Sequence, residues 1–160
     1  MLNRKTLTKE QALQKARHFC RYQERCHFEV IQKLYTYRLP KRAVDEILAQ
    51  LIAEDYLNEQ RFAIMYAGGK FRIKTWGRLK IRYELKQKRI SEYCIMKACA
   101  EIDETQYRKI LTQLAEKKWN SVDEKSVFVK FSKTSEYLKK KGYEPLLVKT
   151  VLNDLKESSQ

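Results

Sequence analysis

The sequence predicts an all-α protein, built as an elongated and curved tandem array of three three-helix repeats. Only four glycines and two prolines occur in 160 residues, whereas residues that favour helices are plentiful. Apolar residues recur at the three- and four-residue spacing of amphipathic helices. One pattern of helix, turn and helix also returns at intervals of 51 and 53 residues. Each such unit buries little apolar surface alone and stacks on its neighbours. This stacking favours an extended, curved shape.

The first repeat, residues 1–57, contains a helical hairpin and a helical stretch before it. The second helix of the hairpin carries Val44, Ile47, Leu48 and Leu51, which share one face. Residues 28–37 supply the first helix, and residues 12–22 form the preceding stretch. The short break around Leu39 leaves room only for a tight turn.

The second repeat, residues 58–102, and the third, residues 103–160, keep the register of the first. The first helix of each hairpin ends at Leu34, Leu85 and Leu138. The turns contain Leu39, Ile90 and Tyr143. Any two amphipathic helices align, so the shared turn is the stronger indication of repetition.

Helix starts and one insertion complete the prediction of secondary structure. Asn58 and Asp103 suit N-cap positions, Ser91 begins the last helix of the second repeat, and Pro145 suits a first turn. Residues 120–133 make the third repeat longer, and we expect them mainly to lengthen its middle helix.

The charge is large and unevenly distributed. The chain has 34 basic and 20 acidic residues, a net charge of +14, and residues 61–90 hold ten basic residues against one acid, Glu84. A surplus of this size favours a polyanion such as nucleic acid, or an acidic protein face, through long-range attraction. The middle repeat is therefore the basic one.

A stripe of basic residues is predicted on the helix over 77–88, extended by one residue. Arg78, Arg82, Lys86 and Arg89 fall on one face at helical spacing. The full set of contact candidates is Lys70, Arg72, Lys74, Arg78, Arg82, Lys86, Lys88 and Arg89. Such a stripe pairs with phosphates or with carboxylates; the alternative is an ordinary solvated face. Trp76 beside it suits packing at a helix junction, with stacking on a base as the alternative.

The sequence shows no pattern of catalytic or metal-ligating residues. An enzyme needs a convergent set of acid, base, nucleophile or metal ligands, and the sequence has no P-loop, glycine-rich phosphate cradle or HExxH motif; Glu84 suits a pair with Lys80 or Lys88 inside its helix. We therefore expect no catalytic residue and no cofactor. No CxxC occurs, so we expect no metal site and four core thiols instead. No signal peptide or membrane span is predicted, which favours a cytoplasmic protein, expected to be a monomer.

Residues 61–90 resemble the most characteristic stretch of the RecX family. Arg61, Phe62 and Ala63 match the Arg-Phe-Ala opening of that pattern. The rest is matched by Gly77, Ile81, Glu84, Leu85, Lys88 and Ile90. Lys80 and Arg89 depart from it, where the family has arginine and glycine, so the turn before Ile90 is expected to differ. The likeness covers about residues 12–155 and is weaker in the first and third repeats.

The resemblance implies a regulator of RecA that acts in DNA repair, homologous recombination and the SOS response. RecX proteins bind the RecA filament on single-stranded DNA and generally limit RecA activity. The expected partners are therefore the RecA filament and single-stranded DNA, reached directly or through the filament, with no membrane. Phe62, Ala63, Gly77, Ile81, Glu84, Leu85 and Ile90 are expected to be structural. Two rivals stay open, a helix-turn-helix regulator that binds nucleic acid directly and a purely scaffolding repeat protein.

Overall fold

A computed structural model describes residues 6–123 and 125–159. Within these residues the chain forms nine α-helices and no strand, which confirms the all-α prediction. The helices are α1 (Lys9–Tyr22), α2 (His27–Tyr35), α3 (Lys41–Ala53), α4 (Glu59–Lys74), α5 (Arg78–Gln87), α6 (Glu92–Ala100), α7 (Glu104–Ser121), α8 (Val127–Lys140) and α9 (Pro145–Ser158). Five helices begin at an N-cap residue whose side chain accepts a hydrogen bond from a backbone N–H in the first turn: Thr8, Asn58, Ser91, Asp103 and Ser126.

The helices pack in consecutive groups of three, α1–α3, α4–α6 and α7–α9. The first helix of the first two groups turns small residues inward, Ala12 and Ala16 in α1 and Ala63 and Ala67 in α4, all fully buried. Small side chains allow close approach of neighbouring helices, and α4 packs most extensively on α6. The exact boundaries predicted at residues 57 and 102 stay a prediction.

The turn between the last two helices of each group is the same in all three. Arg38, Arg89 and Gly142 each adopt a positive φ, of 59°, 60° and 98°. The residue that follows, Leu39, Ile90 or Tyr143, is buried. Arg89 thus takes the left-handed conformation that glycine adopts without strain. The difference expected between this turn and that of RecX proteins stays a prediction.

The second and third groups share a continuous apolar core at a tight junction. Gly77 and Gly142 approach so closely that a Cβ atom on Gly77 would overlap the backbone of Gly142 and Tyr143. The Gly77 N–H donates to the carbonyl of Lys141 at 2.8 Å, and the Leu79 N–H donates to that of Gly142 at 2.9 Å. Backbone hydrogen bonds between repeats fix this junction directly.

The junction between the first and second groups uses side chains. Arg61 pairs with Glu24 at 2.9 Å and Asp55 at 3.2 Å, and Lys88 pairs with Glu29 at 3.0 Å. The first group keeps a core of its own. Among the residues of that group that the structure describes, only Cys26 and Phe28 pack into the core that the other two share.

Residues 120–133, of which residue 124 lies outside the described residues, contribute to two helices. Asn120 and Ser121 end α7, while residues 127–133 form the first half of α8, which has 14 residues against 9 in α2 and 10 in α5.

The four cysteines, Cys20, Cys26, Cys94 and Cys99, are buried and free, as predicted. Burial raises the pKa of the Cys20 and Cys26 thiols to about 11. No helix among the described residues is long and apolar enough to cross a bilayer.

Candidate functional site

Of the four residues of the predicted stripe, Lys86 and Arg89 are exposed, and Arg78 and Arg82 are half-buried. Arg82 and Lys86 lie on the outer face of α5, where Lys86 pairs with Glu92 at 2.7 Å and Arg82 approaches the same carboxylate at 3.9 Å. The hydrogen bond from Lys86 lowers the pKa of Glu92. Leu79 and Tyr83 share this face and are also exposed. We call Leu79, Arg82, Tyr83 and Lys86 the outer face of α5.

Arg78 belongs to the junction between the second and third repeats. Its guanidinium pairs with Glu104 at 2.8 Å and Glu144 at 2.6 Å, and lies 3.9 Å from the centre of the Tyr107 ring. Burial opposes its charge, but the hydrogen bonds that its guanidinium donates to both carboxylates outweigh burial and raise the pKa of Arg78. The Tyr107 hydroxyl donates to Glu144 and accepts from the Arg78 N–H at 3.0 Å. The charge of Arg78 is thus satisfied inside the protein.

The end of the stripe faces the first repeat. α5 ends at Gln87, so the extension of this helix to Arg89 is wrong, and the Arg89 guanidinium lies 4.5 Å from the centre of the Phe28 ring. Lys88 pairs with Glu29, and Lys80 lies over the Trp76 ring at 4.6 Å. The pair expected between Glu84 and Lys80 or Lys88 is therefore not formed. Each lysine contacts another residue instead, Lys88 the Glu29 carboxylate and Lys80 the Trp76 ring.

The three contact candidates on α4 point in different directions. Lys70 lies 5.4 Å from the centre of the Tyr66 ring and 5.1 Å from that of Trp76. Arg72 folds back over Gly68. Lys74 is exposed, and its carbonyl accepts a hydrogen bond from the Lys141 amino group at 3.0 Å.

Sequence reasoning missed a row of alternating lysines and rings that crosses from the second repeat to the third. Beyond Lys80, the row reaches Lys141, whose amino group lies 6.0 Å from the centre of the Tyr137 ring, and Lys118, at 5.2 Å from the same ring. We call this set the lysine–aromatic row: Tyr66, Lys70, Trp76, Lys80, Lys141, Tyr137 and Lys118. The only signal for it in the sequence was Trp76 among lysines, since Lys118, Tyr137 and Lys141 belong to another repeat.

The residues of the sequence motif are mostly core. Five of them are buried, Phe62, Ala63, Ile81, Leu85 and Ile90. Gly77 has an ordinary φ of −77°, so glycine is needed there for the close backbone contact with Gly142 rather than for the turn. Glu84 is half-buried. The roles that the RecX resemblance implies for these motif residues stay a prediction.

Comparison with known proteins identifies the family. A family model described as the second three-helix domain of RecX matches residues 58–98. The chain is 31% identical over 129 residues to the regulatory protein RecX of Clostridium tetani, which covers 79% of this chain and 59% of that protein. The chain belongs to the RecX family. It is also 26% identical over 136 residues to the regulatory protein RecX of Bacillus cereus, covering 85% of this chain and 50% of that one.

Solved RecX structures share the fold. The crystal structure of RecX from Lactobacillus salivarius superposes with a TM-score of 0.85 at 24% identity, over 92% of this chain and 96% of that one. A second RecX crystal structure gives 0.83 at 21% identity, over 91% of this chain and 71% of that one. The chain spans 50–59% of the length of the RecX relatives from Clostridium and Bacillus.

The arrangement suits binding. No group of three or more histidine, cysteine or acidic side chains within 6–123 and 125–159 is placed to hold a metal ion. The site instead offers two basic surfaces in this RecX chain, the outer face of α5 on the middle repeat and the lysine–aromatic row, which crosses from the middle repeat to the third. The first mixes apolar and basic side chains, and the second mixes rings and lysines.

Proposed function

We propose that the chain regulates RecA by binding RecA filaments on single-stranded DNA and limiting recombinase activity, without catalysis of its own. It lies, on this proposal, in the filament groove as a monomer and spans neighbouring subunits. The observation that carries the proposal is the concentration of charge on the middle repeat of a RecX-family chain.

The outer face of α5 has the chemistry of a protein-binding surface. Leu79 is 46% exposed and Tyr83 60% exposed, and they alternate with Arg82 and Lys86. Aromatic and arginine side chains contribute most at protein interfaces. The ion pairs to Glu92 are exposed and cost little to exchange for a partner's carboxylate. This face is our candidate for contact with RecA.

Regulation would follow from selective binding. A ligand shifts an equilibrium only by the difference in its affinity for the two states. If the array fits the groove of one filament state better than that of the extended active state, bound protein moves the population away from activity. A tenfold preference corresponds to about 1.4 kcal/mol.

The experiment that tests this proposal measures RecA ATPase and strand exchange on single-stranded DNA at increasing concentrations of the protein. We expect both activities to fall as the protein occupies the filament. Unchanged activity at several-fold excess over RecA would refute the proposal. Strong preference for one duplex sequence, with no affinity for filaments, would instead favour a helix-turn-helix regulator.

Two double variants locate the contact. Arg82→Ala with Lys86→Ala removes the charges of the outer face of α5, and Lys109→Ala with Lys149→Ala removes two charges from exposed positions on α7 and α9. The first pair should weaken filament binding about tenfold, since each interfacial charge contributes up to ~1 kcal/mol. The second should bind like wild type. Equal loss in both would show that only total charge matters.

A further inference from the structure

The lysine–aromatic row has features that the outer face of α5 lacks. Its three rings, Tyr66, Trp76 and Tyr137, are each half-buried and held by the core. Tyr66 and Trp76 also pack edge to face, with ring centres 6.5 Å apart. The rings are therefore fixed supports that keep one side towards the lysines.

The lysines of the row are not matched by acids. Among the described residues, no carboxylate forms an ion pair with the amino group of Lys70, Lys80, Lys118 or Lys141. At the Tyr66 end of the row carboxylates lie nearby: Glu29 binds Lys88, and burial, with Glu84 and Glu29, raises the pKa of Tyr66 to about 12. Arginines of the same repeat do have acids, as Arg61, Arg78 and Arg82 show.

Two of these lysines are held together against their mutual repulsion. The Lys141 amino group is tied to the carbonyl of Lys74 at 3.0 Å. Burial and the nearby charge of Lys80 lower the pKa of Lys141. Folding brings the two together through the Gly77–Gly142 contact, because Lys141 precedes Gly142 and Lys80 packs against it. An anion placed between them would relieve the repulsion.

We infer that the lysine–aromatic row binds the backbone of single-stranded nucleic acid, with a phosphate between Lys80 and Lys141 and unstacked bases against Trp76 and Tyr137. Rings interleaved with cations are the pattern of proteins that bind single strands. Lysine binds phosphate as a point charge. Unpaired bases expose the faces that such rings stack on, which a duplex does not.

Binding should change the surroundings of Trp76. In the free protein the amino groups of Lys70 and Lys80 lie over its ring, a contact of moderate strength. A phosphate draws these amino groups away, and the ring is then open to a base. The inference rests on the proposed function where it places this face against a nucleoprotein filament, but bare DNA tests it separately.

The test uses the intact chain with Trp119→Phe, which leaves Trp76 as the only tryptophan because the chain has two. Trp76 fluorescence is titrated with an oligothymidylate of about 20 nucleotides, long enough for one site. In that background Lys80→Gln with Lys141→Gln is compared with Lys109→Gln with Lys149→Gln, which removes the same charge. Circular dichroism checks that every variant is folded.

We expect the fluorescence of Trp76 to change saturably as the oligothymidylate is added. The row variant, Lys80→Gln with Lys141→Gln, should bind the oligothymidylate more weakly than its parent. For single strands the logarithm of the binding constant falls by about 0.7 per phosphate contact for each tenfold rise in salt. Loss of the one phosphate held between Lys80 and Lys141 should lower the salt slope by about 0.7 and weaken binding about fivefold at 0.1 M salt. The matched control should keep the affinity and the slope of its parent.

Three results would overturn the inference: no response of Trp76 at saturation, equal loss in the control, or a wild-type slope in the row variant. Failure of the proposed function is a separate result. A protein that binds oligothymidylate through the row but not RecA filaments would refute the proposed function and leave the row intact. A protein that binds filaments equally well in both variants, with the slope unchanged, would refute the row alone.

Discussion

Replacing Gly77 by alanine should loosen the junction between the second and third repeats. The added Cβ atom would overlap the backbone of Gly142 and Tyr143. To make room, the two backbone segments must move apart. This movement weakens the hydrogen bonds from the Gly77 N–H to the Lys141 carbonyl and from the Leu79 N–H to the Gly142 carbonyl. Each backbone hydrogen bond contributes about 1 kcal/mol net. With some lost packing, Gly77→Ala should cost about 2–3 kcal/mol of unfolding free energy.

Gly69 provides the matched control, since it lies in α4 and a Cβ atom there meets nothing within 4 Å. Gly69→Ala should stabilise the protein by about 0.5–1 kcal/mol, because alanine favours a helix interior. Urea unfolding is followed by tryptophan fluorescence, which reports on the shared core because Trp76 and Trp119 both pack there. Gly77→Ala should also lower Tm by roughly 5–10 °C. A Gly77→Ala variant as stable as Gly69→Ala would refute the reasoning.

Two further predictions concern the turns and the thiols. Arg38→Gly should stabilise the protein by about 0.5–1 kcal/mol, because it removes a strained left-handed arginine. Arg89→Gly should stabilise it less, because this change also removes the contact with Phe28. Urea unfolding measures both changes in stability, and equal gains would contradict the role of that contact. Burial raises the pKa of Cys20 and Cys26 to about 11, so native protein at pH 8 should react with a thiol reagent far more slowly than unfolded protein. Rapid labelling of both in the native state would show that the core opens.

Local pattern predicted the helices and the turns between them. Asn58, Ser91 and Asp103 all act as N-caps, and Pro145 opens α9. These features depend on spacing within about 15 residues, which the sequence displays directly. The positive φ shared by Arg38, Arg89 and Gly142 was not foreseen, because two arginines stand where glycine gives the usual signal.

The site was predicted less well because its partners are distant in the chain. Helical spacing put Arg78 in the stripe, but its carboxylates lie 26 and 66 residues away, at Glu104 and Glu144. Charge periodicity describes one helix and carries no information about tertiary ion pairs. Lys141 joins Lys80 only because Gly77 and Gly142 touch. The sequence displays the surplus of basic residues in the middle repeat. It does not display which of these residues pair with carboxylates in the folded protein.

The central claim is that the chain recognises the filament rather than either component. The direct measurement is the anisotropy of fluorescently labelled protein titrated with RecA filaments on single-stranded DNA, with RecA alone, and with the same DNA alone. We expect tighter binding to the filament than to RecA or DNA at equal concentration and salt. Binding to the filament no tighter than to bare DNA would contradict it.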